Sequence, residues 1–404
     1  MDFGSLGSYF EVVLAKRLGG TDIDRMVSHG HELGGFGQLR RYLGDDDRKI
    51  RATYLYVGDG AQETAYTWTT WYDARRRNPN RGPEYRLYYP ECEPVTMAGV
   101  GDLAVVAVTS GGELAFVFAE GGSDREADVM YLFGVDDEYD MYMPSRDMGR
   151  RVDAFGAEIL SMLGVEAEVP WELGERVDEM VGMWPDGLPH GRVFADFARY
   201  ASGIDPLDDP DAALVDFYNT QTALFMEYER YEMDSRLGPL VRDVSDPDYD
   251  AILSVAMSLF QRRRSSAGHA LEYHLEAVFD AFGIDYTAQG RTEGKERPDF
   301  LFPSEGAYHD PLFPAARLTL LGAKTTAKDR WRQVLQEGDR VRVKHLVTLE
   351  PAISVDQTSE MAARNLQLVV PEPIHATYQP SQRCGLWTVR DFCDCVLGRQ
   401  RTIA

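Results

Sequence analysis

Two runs decide how this chain reads: Arg297-Pro-Asp-Phe-Leu-Phe-Pro303, and Leu321-Gly-Ala-Lys-Thr-Thr-Ala-Lys-Asp-Arg-Trp-Arg-Gln-Val-Leu-Gln-Glu337. In the first, Asp299 opens a brief apolar segment, Phe300–Phe302. The second continues an apolar segment, Leu318–Ala323, that ends in Lys324 and passes into a helix expected over Lys328–Gly338. Short apolar runs bounded by turn residues mark buried strands. Neighbouring strands lie about 5 Å apart, so Asp299 and Lys324 are expected side by side. Glu337 sits two to three turns into the expected helix, placed to fold back toward the strand ends.

An acid, a lysine and a second acid suit phosphodiester hydrolysis. Mg²⁺ takes one or two carboxylates plus waters and a phosphate oxygen. A nearby lysine can orient or help deprotonate the attacking water. A common nuclease pattern is Pro-Asp, a spacer, then Asp/Glu-x-Lys. Here Gly322 stands two before Lys324 and cannot bind metal. Either the site is dead or another carboxylate substitutes. Glu337 is the natural substitute, and Glu272 can add a further group.

Beyond the lysine, Lys328-Asp329-Arg330 opens the expected helix. Lys and Arg pair with the major-groove edge of guanine, and Asp accepts from cytosine N4. The same residues are equally an ordinary charged first turn, and only the catalytic setting favours base reading.

Around these runs, residues 211–404 are expected to alternate helix and strand, as an α/β domain with a mixed central sheet. A helix is expected over Asp248–Arg264. Another is expected after Ser265-Ser266 as N-cap, with Leu271, Leu275, Val278, Phe279 and Phe282 on one face. Strands are expected at His345–Leu349 and Leu366–Val370, and a closing helix at Trp387–Leu397. Residues 1–180 read mostly as short strands: Ile50–Val57, Ala65–Tyr72, Tyr85–Tyr89, Leu103–Thr109 and Glu113–Ala119. Gly-Asp-Gly, Asn-Pro-Asn and Ser-Gly-Gly separate them, which fits a small barrel. Residues 151–180 look helical and acidic. Residues 181–210, rich in Pro, Gly and Asp, read as a linker.

A chain of 404 residues suggests two domains. It has no run of about 18 apolar residues and no recognisable signal peptide, so no membrane contact is expected and the cytoplasm is the expected compartment. The four cysteines lack a disulfide or zinc spacing and read as free thiols. Net charge is −24, yet only six of the 42 basic residues are lysines. An acidic, lysine-poor surface suits a saline cytoplasm, where self-repulsion is screened. Basic residues cluster at 75–86 (Arg75, Arg76, Arg77, Arg81 and Arg86 against Glu84), at Arg262–Arg264, and at 321–345. Isolated basic patches on an acidic body are the footprint of nucleic-acid binding.

Three stretches carry a family resemblance: Gln261-Arg-Arg-Arg-Ser-Ser-Ala-Gly-His-Ala-Leu-Glu272, Arg297-Pro-Asp-Phe-Leu-Phe-Pro-Ser-Glu-Gly-Ala-Tyr-His-Asp310 and Lys324-Thr-Thr-Ala-Lys-Asp-Arg-Trp-Arg-Gln333. They resemble the catalytic domain of the EcoRII restriction endonucleases, over about residues 185–404. The resemblance implies a restriction-endonuclease-like fold and Mg²⁺-dependent double-strand cleavage at a short G·C-rich palindrome. It implies Asp299, Lys324 and Glu337 as catalytic, with Asp299 and Glu337 holding the metal and Glu272 in support. Lys328, Asp329 and Arg330 would read G·C pairs; Arg262, Arg263 and Arg264 are expected to contact DNA as a basic cluster, by their charge alone. The missing acid at Gly322 is a trait of that family.

More weakly, Asn78-Pro-Asn-Arg-Gly-Pro-Glu-Tyr-Arg-Leu-Tyr-Tyr89 and Gly101-Asp-Leu-Ala-Val-Val106 are similar to the family's effector-binding pseudobarrel. That similarity implies DNA contact by Glu84 and Arg86; the Arg75–Arg77 run, read by its charge, is a candidate for phosphate contact instead. The expected protein is a homodimer on double-stranded DNA, with a cognate methyltransferase in the same system but not as a stable subunit. One departure is Asp216-Phe-Tyr-Asn219, which lacks the arginine-rich run that holds flipped bases in the family. An aromatic here is a candidate to stack an extruded base. A modification-dependent nuclease and a non-cleaving DNA-binding regulator are the alternatives.

Overall fold

The computed structural model describes every residue except 1–5, 24–31, 59–60, 77–80, 136–155, 157–158, 161, 166–170, 186, 190, 242–248, 250, 256, 258–268, 295, 326, 328–329 and 402–404. The chain divides into two compact units: Met1–Glu168 with Ala352–Ser354, and Val169–Pro351 with Val355–Ala404.

The first unit is a seven-stranded sheet in the order β1-β6-β7-β3-β4-β5-β2. Its strands are β1 (Phe10–Arg17), β2 (Glu32–Leu33), β3 (Arg48–Val57), β4 (Gln62–Asp73), β5 (Tyr85–Tyr88), β6 (Leu103–Thr109) and β7 (Leu114–Ala119). Alternation along each strand produces two cores. One face buries Val12, Leu14, Tyr54, Trp71, Leu87, Val106 and Phe116 together with Leu33. The other buries Val13, Leu55, Val105 and Val117 with Val129, Leu132 and Phe133 of α1 (Asp124–Phe133) and with Ile159, Leu160 and Leu163. Residues from β1 and β2, at opposite ends of the strand order, share the first core, so the sheet curls on itself. It stays open: among the described residues no ladder joins β1 to β2, and the expected barrel is a pseudobarrel. β1 went unread in the sequence because both its faces are buried, which erases the alternation that marks a strand.

The second unit holds a five-stranded mixed sheet in the order β12-β11-β10-β9-β8. Its strands are β8 (Thr287–Ala288), β9 (Phe300–Phe302), β10 (Thr319–Lys324), β11 (Lys344–Thr348) and β12 (Leu366–Val369). β10, β11 and β12 are parallel, whereas β9 runs antiparallel to β10 and β8 to β9. Seven helices matter here: α2 (Trp171–Met183), α3 (Gly191–Ser202), α4 (Pro210–Arg236), α5 (Ala270–Phe282), α6 (Glu305–His309), α7 (Trp331–Val334) and α8 (Val389–Arg401). Leu214 of α4, Leu275 and Phe279 of α5, and Phe392 and Val396 of α8 cover one sheet face over Phe300, Phe302, Leu321, Val347 and Val369. β9 and nearly all of β10 are buried on both faces, which is why these two read as apolar runs.

The structure corrects three expectations. Residues 181–210 are not a linker: α3 lies inside them and buries Phe194 and Phe197 beside Leu224 and Tyr228 of α4. The Asp-Pro pair there is a helix start, with Asp209 accepting from the N–H groups of Asp211 and Ala212 and Pro210 in the first turn. The N-cap of α5 is His269, so the helix begins after the proposed Ser265-Ser266 cap, itself outside the described residues. The helix expected over Lys328–Gly338 is only Trp331–Val334, because the chain turns at once to pack Val334 under the sheet. The helix expected over Asp248–Arg264 falls largely outside the described residues. No helix among the described residues is long and apolar enough to cross a membrane. The four cysteines are unpaired, and burial pushes the Cys393 thiol up to about 12.

Candidate active site

Asp299 immediately precedes β9, and Lys324 ends β10. The register aligns Phe300 with Leu321, which brings the two side chains to one edge of the sheet. Asp299 Oδ2 accepts from the backbone N–H of Ala323 and from Lys324 Nζ, each at 2.7 Å. Asp299 is therefore fixed by a strand amide and an ammonium at once.

Glu337 reaches the site from the turn beyond α7 rather than from a helix, with its N–H donating to Val334 O at 3.3 Å. Burial pushes its carboxyl up to about 7, and the negative charge of Asp299 adds to this while Lys324 opposes it. A network behind the turn sets its path. Glu293 accepts from Tyr308 Oη and from the Asp339 N–H, and the Arg340 guanidinium donates to the carbonyls of Tyr308, Asp310 and Phe313. The sequence held no signal for this network, since its members come from three separate segments.

Glu272, in the first turn of α5, is the third carboxylate. Burial raises its carboxyl above the ordinary range and so does Asp299, whereas His269 and Lys324 pull it down. His269 Nδ1 lies 3.1 Å from Glu272 Oε2. Gln289 joins the two acids: its Nε2 donates to Glu272 Oε2 at 3.2 Å and to Asp299 Oδ1 at 3.1 Å. Sequence reading missed it, because a lone glutamine at a strand end carries no pattern.

The position two before the lysine is closed. A Cβ on Gly322 would meet Val334 Cγ2 at 2.6 Å, so no acid fits there. The side chain that closes it stands three residues before Glu337, and the contact that excludes the usual acid also seats the turn bearing Glu337.

Mutual repulsion among partly buried carboxylates raises their affinity for protons, and a hard cation relieves the same repulsion. The all-oxygen set of Asp299, Glu337 and Glu272 fits Mg²⁺ in kind. Among the described residues no three such side chains converge closely enough, as they lie, to hold an ion, and Lys324 is the cation on Asp299.

Arg330 is exposed just before α7, while Lys328 and Asp329 lie outside the described residues. Ala327 N–H donates to the buried Glu350 carboxylate and Thr348 Oγ1 donates to Thr325 O, which tethers the loop leading to them. Arg262, Arg263, Arg264 and Arg77 also lie outside the described residues. In the first unit, Arg75 and Arg86 pair with Glu84, Arg86 also with Glu32 at 2.6 Å, and Arg76 with Asp47 at 2.6 Å. Glu84 is held below its usual range, chiefly by the Arg86 guanidinium. Arg81 is exposed. Arg75, Arg76 and Arg86 thus form a paired cluster within the first unit. Phe217 is buried against His274, which removes it as a stacking partner for an extruded base, whereas Tyr218 is only partly buried against the core.

A family model described as EcoRII C terminal matches residues 225–393. The type II restriction enzyme EcoRII of Escherichia coli is 40% identical over 213 residues, which are 52% of this chain and 50% of that enzyme. The chain thus spans about half the length of the curated relative it matches. Two solved chains are similar: metal-depleted Ecl18kI in complex with uncleaved, modified DNA (TM-score 0.45, 20% identity, 57% of this chain and 85% of that one) and metal-depleted Ecl18kI in complex with uncleaved DNA (TM-score 0.41, 21% identity, the same shares). Asp299, Lys324 and Glu337 all lie within residues 225–393, the part of this chain that is similar to the EcoRII C-terminal family model.

Proposed function

We propose that the protein is a type II restriction endonuclease that cleaves both strands of DNA at a short G·C-rich palindrome with the help of Mg²⁺. The observation that carries this is the meeting of Asp299, Lys324 and the proton-poised Glu337 at one sheet edge, inside the residues that match the EcoRII C-terminal family model.

Asp299 and Glu337 would hold the ion, with Glu272 alongside. When bound, Mg²⁺ supplies Lewis-acid polarisation of the phosphate and lowers the pKa of a water. The Lys324 ammonium, fixed by Asp299, orients the attacking water and balances charge on the phosphate. Glu337, in its unprotonated form, accepts a proton or a cation according to pH. Arg330, with Lys328 and Asp329, reads G·C edges in the major groove.

A palindromic site cut on both strands calls for a two-fold homodimer. The first unit senses a second DNA copy and relieves inhibition of cleavage, and its Glu84–Arg86 pair and arginines supply the contacts. A cognate methyltransferase protects the host DNA, and the acidic, lysine-poor composition suits a saline cytoplasm.

The test is digestion of supercoiled plasmid with Mg²⁺ in high KCl. Wild type should linearise it, and Lys324→Ala should lose about 10²–10⁴ in rate. Equal cutting by the two sinks the catalytic assignment. Cutting of methylated but not bare DNA selects a modification-dependent nuclease. Binding without cutting across several divalent metals selects a regulator. Sequencing the product ends gives the site and its stagger.

A further inference from the structure

Gln289 stands out by its backbone. It is one of three non-glycine residues with positive φ among the described residues, at +52°. Left-handed backbone disfavours side chains other than Asn and Asp, and a Gln held there is kept by its surroundings. The surroundings are plain. Gln289 follows β8, and its N–H donates to Asp299 O at 2.9 Å, extending the β8–β9 ladder by one bond. The turn away from the ladder swings the side chain between two acids. Both hydrogens of the amide are used, one on Asp299 Oδ1 at 3.1 Å and one on Glu272 Oε2 at 3.2 Å.

An amide nitrogen with two carboxylate acceptors is a fixed bridge. It sets the separation of a carboxylate on a helix and one at a strand end, 27 residues apart along the chain (272 to 299). Asp299 is thereby held on both oxygens: Oδ2 by Ala323 and Lys324, Oδ1 by Gln289. Glu272 in turn is held by Gln289 and His269.

We infer that Gln289 is a positioning residue for the divalent cation, its carboxamide locking Asp299 and Glu272 into one acidic cradle. The inference rests on the nuclease reading of this site. Partners that orient ligating carboxylates commonly carry about 10–100-fold in metal affinity.

The experiment pairs a binding measurement with a kinetic one on the full chain. Mn²⁺ binding is followed by loss of the free-ion EPR signal, without DNA. The Mn²⁺ concentration for half-maximal plasmid cleavage is measured in parallel. Gln289→Gly removes the amide and suits the positive φ, which separates side chain from backbone; Gln289→Asn suits the φ and keeps a shorter amide. Asp299→Asn is the reference for loss of the site. Gln289→Gly should weaken Mn²⁺ binding about tenfold or more and raise the metal requirement for cleavage to match, with melting temperature kept, and Gln289→Asn should fall between it and wild type. Mn²⁺ affinity equal to wild type in Gln289→Gly overturns the inference, as does the lack of any Mn²⁺ binding that Asp299→Asn removes. A wild type that binds Mn²⁺ through Asp299 and Gln289 but cuts no DNA sinks the nuclease reading and leaves the positioning role standing.

Discussion

A Cβ placed on Gly322 would lie 2.6 Å from Val334 Cγ2, closer than packed side chains tolerate. Helix α7 therefore occupies the volume where the common nuclease pattern puts its second acid. Gly322→Asp should not restore a conventional site. It should destabilise the protein by about 1–3 kcal/mol, the usual cost of overpacking, and lower cleavage. Gly322→Ala with Val334→Ala should recover part of the loss of Gly322→Ala alone. Melting temperatures of the set decide this, and a Gly322→Asp variant as stable and active as wild type disproves it.

Glu337 gives the site a pH dependence. Its folded value of about 7 lies above the ordinary 4.5. The folded chain holds the extra proton between these values, so stability falls as pH rises through about 7 and no cost remains near pH 4. Glu337→Gln should raise stability at pH 8 by on the order of 1–2 kcal/mol, discounted because the group is partly exposed, and change nothing near pH 4. Melts at both values in EDTA test this. Cleavage by wild type should rise as pH passes about 7, and more Mg²⁺ should move that limb to lower pH, since ion and proton compete for one carboxylate.

Gly338 holds the turn after Glu337 at φ +68°, and a Cβ there would meet Leu320 Cδ1 at 2.6 Å. Gly338→Ala combines backbone strain with a clash and should cost about 2–4 kcal/mol. It should also lower the cleavage rate of the folded fraction, because the turn carries Glu337. Unchanged single-turnover rates would separate the turn from catalysis.

Asp211, buried in the first turn of α4, accepts from the N–H groups of Glu372, Val389 and Arg390 and so ties α4 to the start of α8. Asp211→Ala strands three amides and should destabilise by about 2–4 kcal/mol, with Asp211→Asn losing less because one acceptor remains. Chemical denaturation of the two variants measures the difference.

With 66 acidic residues against 42 basic ones, six of them lysine, the chain should keep cleaving DNA above molar-scale KCl (an order of magnitude from screening). Phosphate contacts weaken steeply with salt, so persistence requires non-Coulombic contact. Loss of cleavage well below that range refutes the saline reading and leaves the nuclease reading untouched.

The sequence by itself determined the mixed α/β class and the strands that carry Asp299 and Lys324. Apolar runs buried on both faces leave few ways to arrange Phe300–Phe302 beside Leu320–Ala323, and a polar residue at each run's end must then emerge at the same edge. It also named Glu337 as the candidate substitute acid and expected it on a helix, where the structure has a turn once Val334 fills the space over Gly322. What only the tertiary structure decided was how the acids are held. Gln289 reaches two of them because it follows β8 with a left-handed backbone, and Glu293 and Tyr308, from segments distant in sequence, hold Asp339 and Arg340 just after Glu337. The same is true of the first unit, where Arg75, Arg76 and Arg86 read as a basic patch in sequence yet stand paired with Glu84, Asp47 and Glu32 in space. Periodicity records which residues are buried along one element. Pairing across elements depends on how chain distant in sequence folds back, and no local pattern records that.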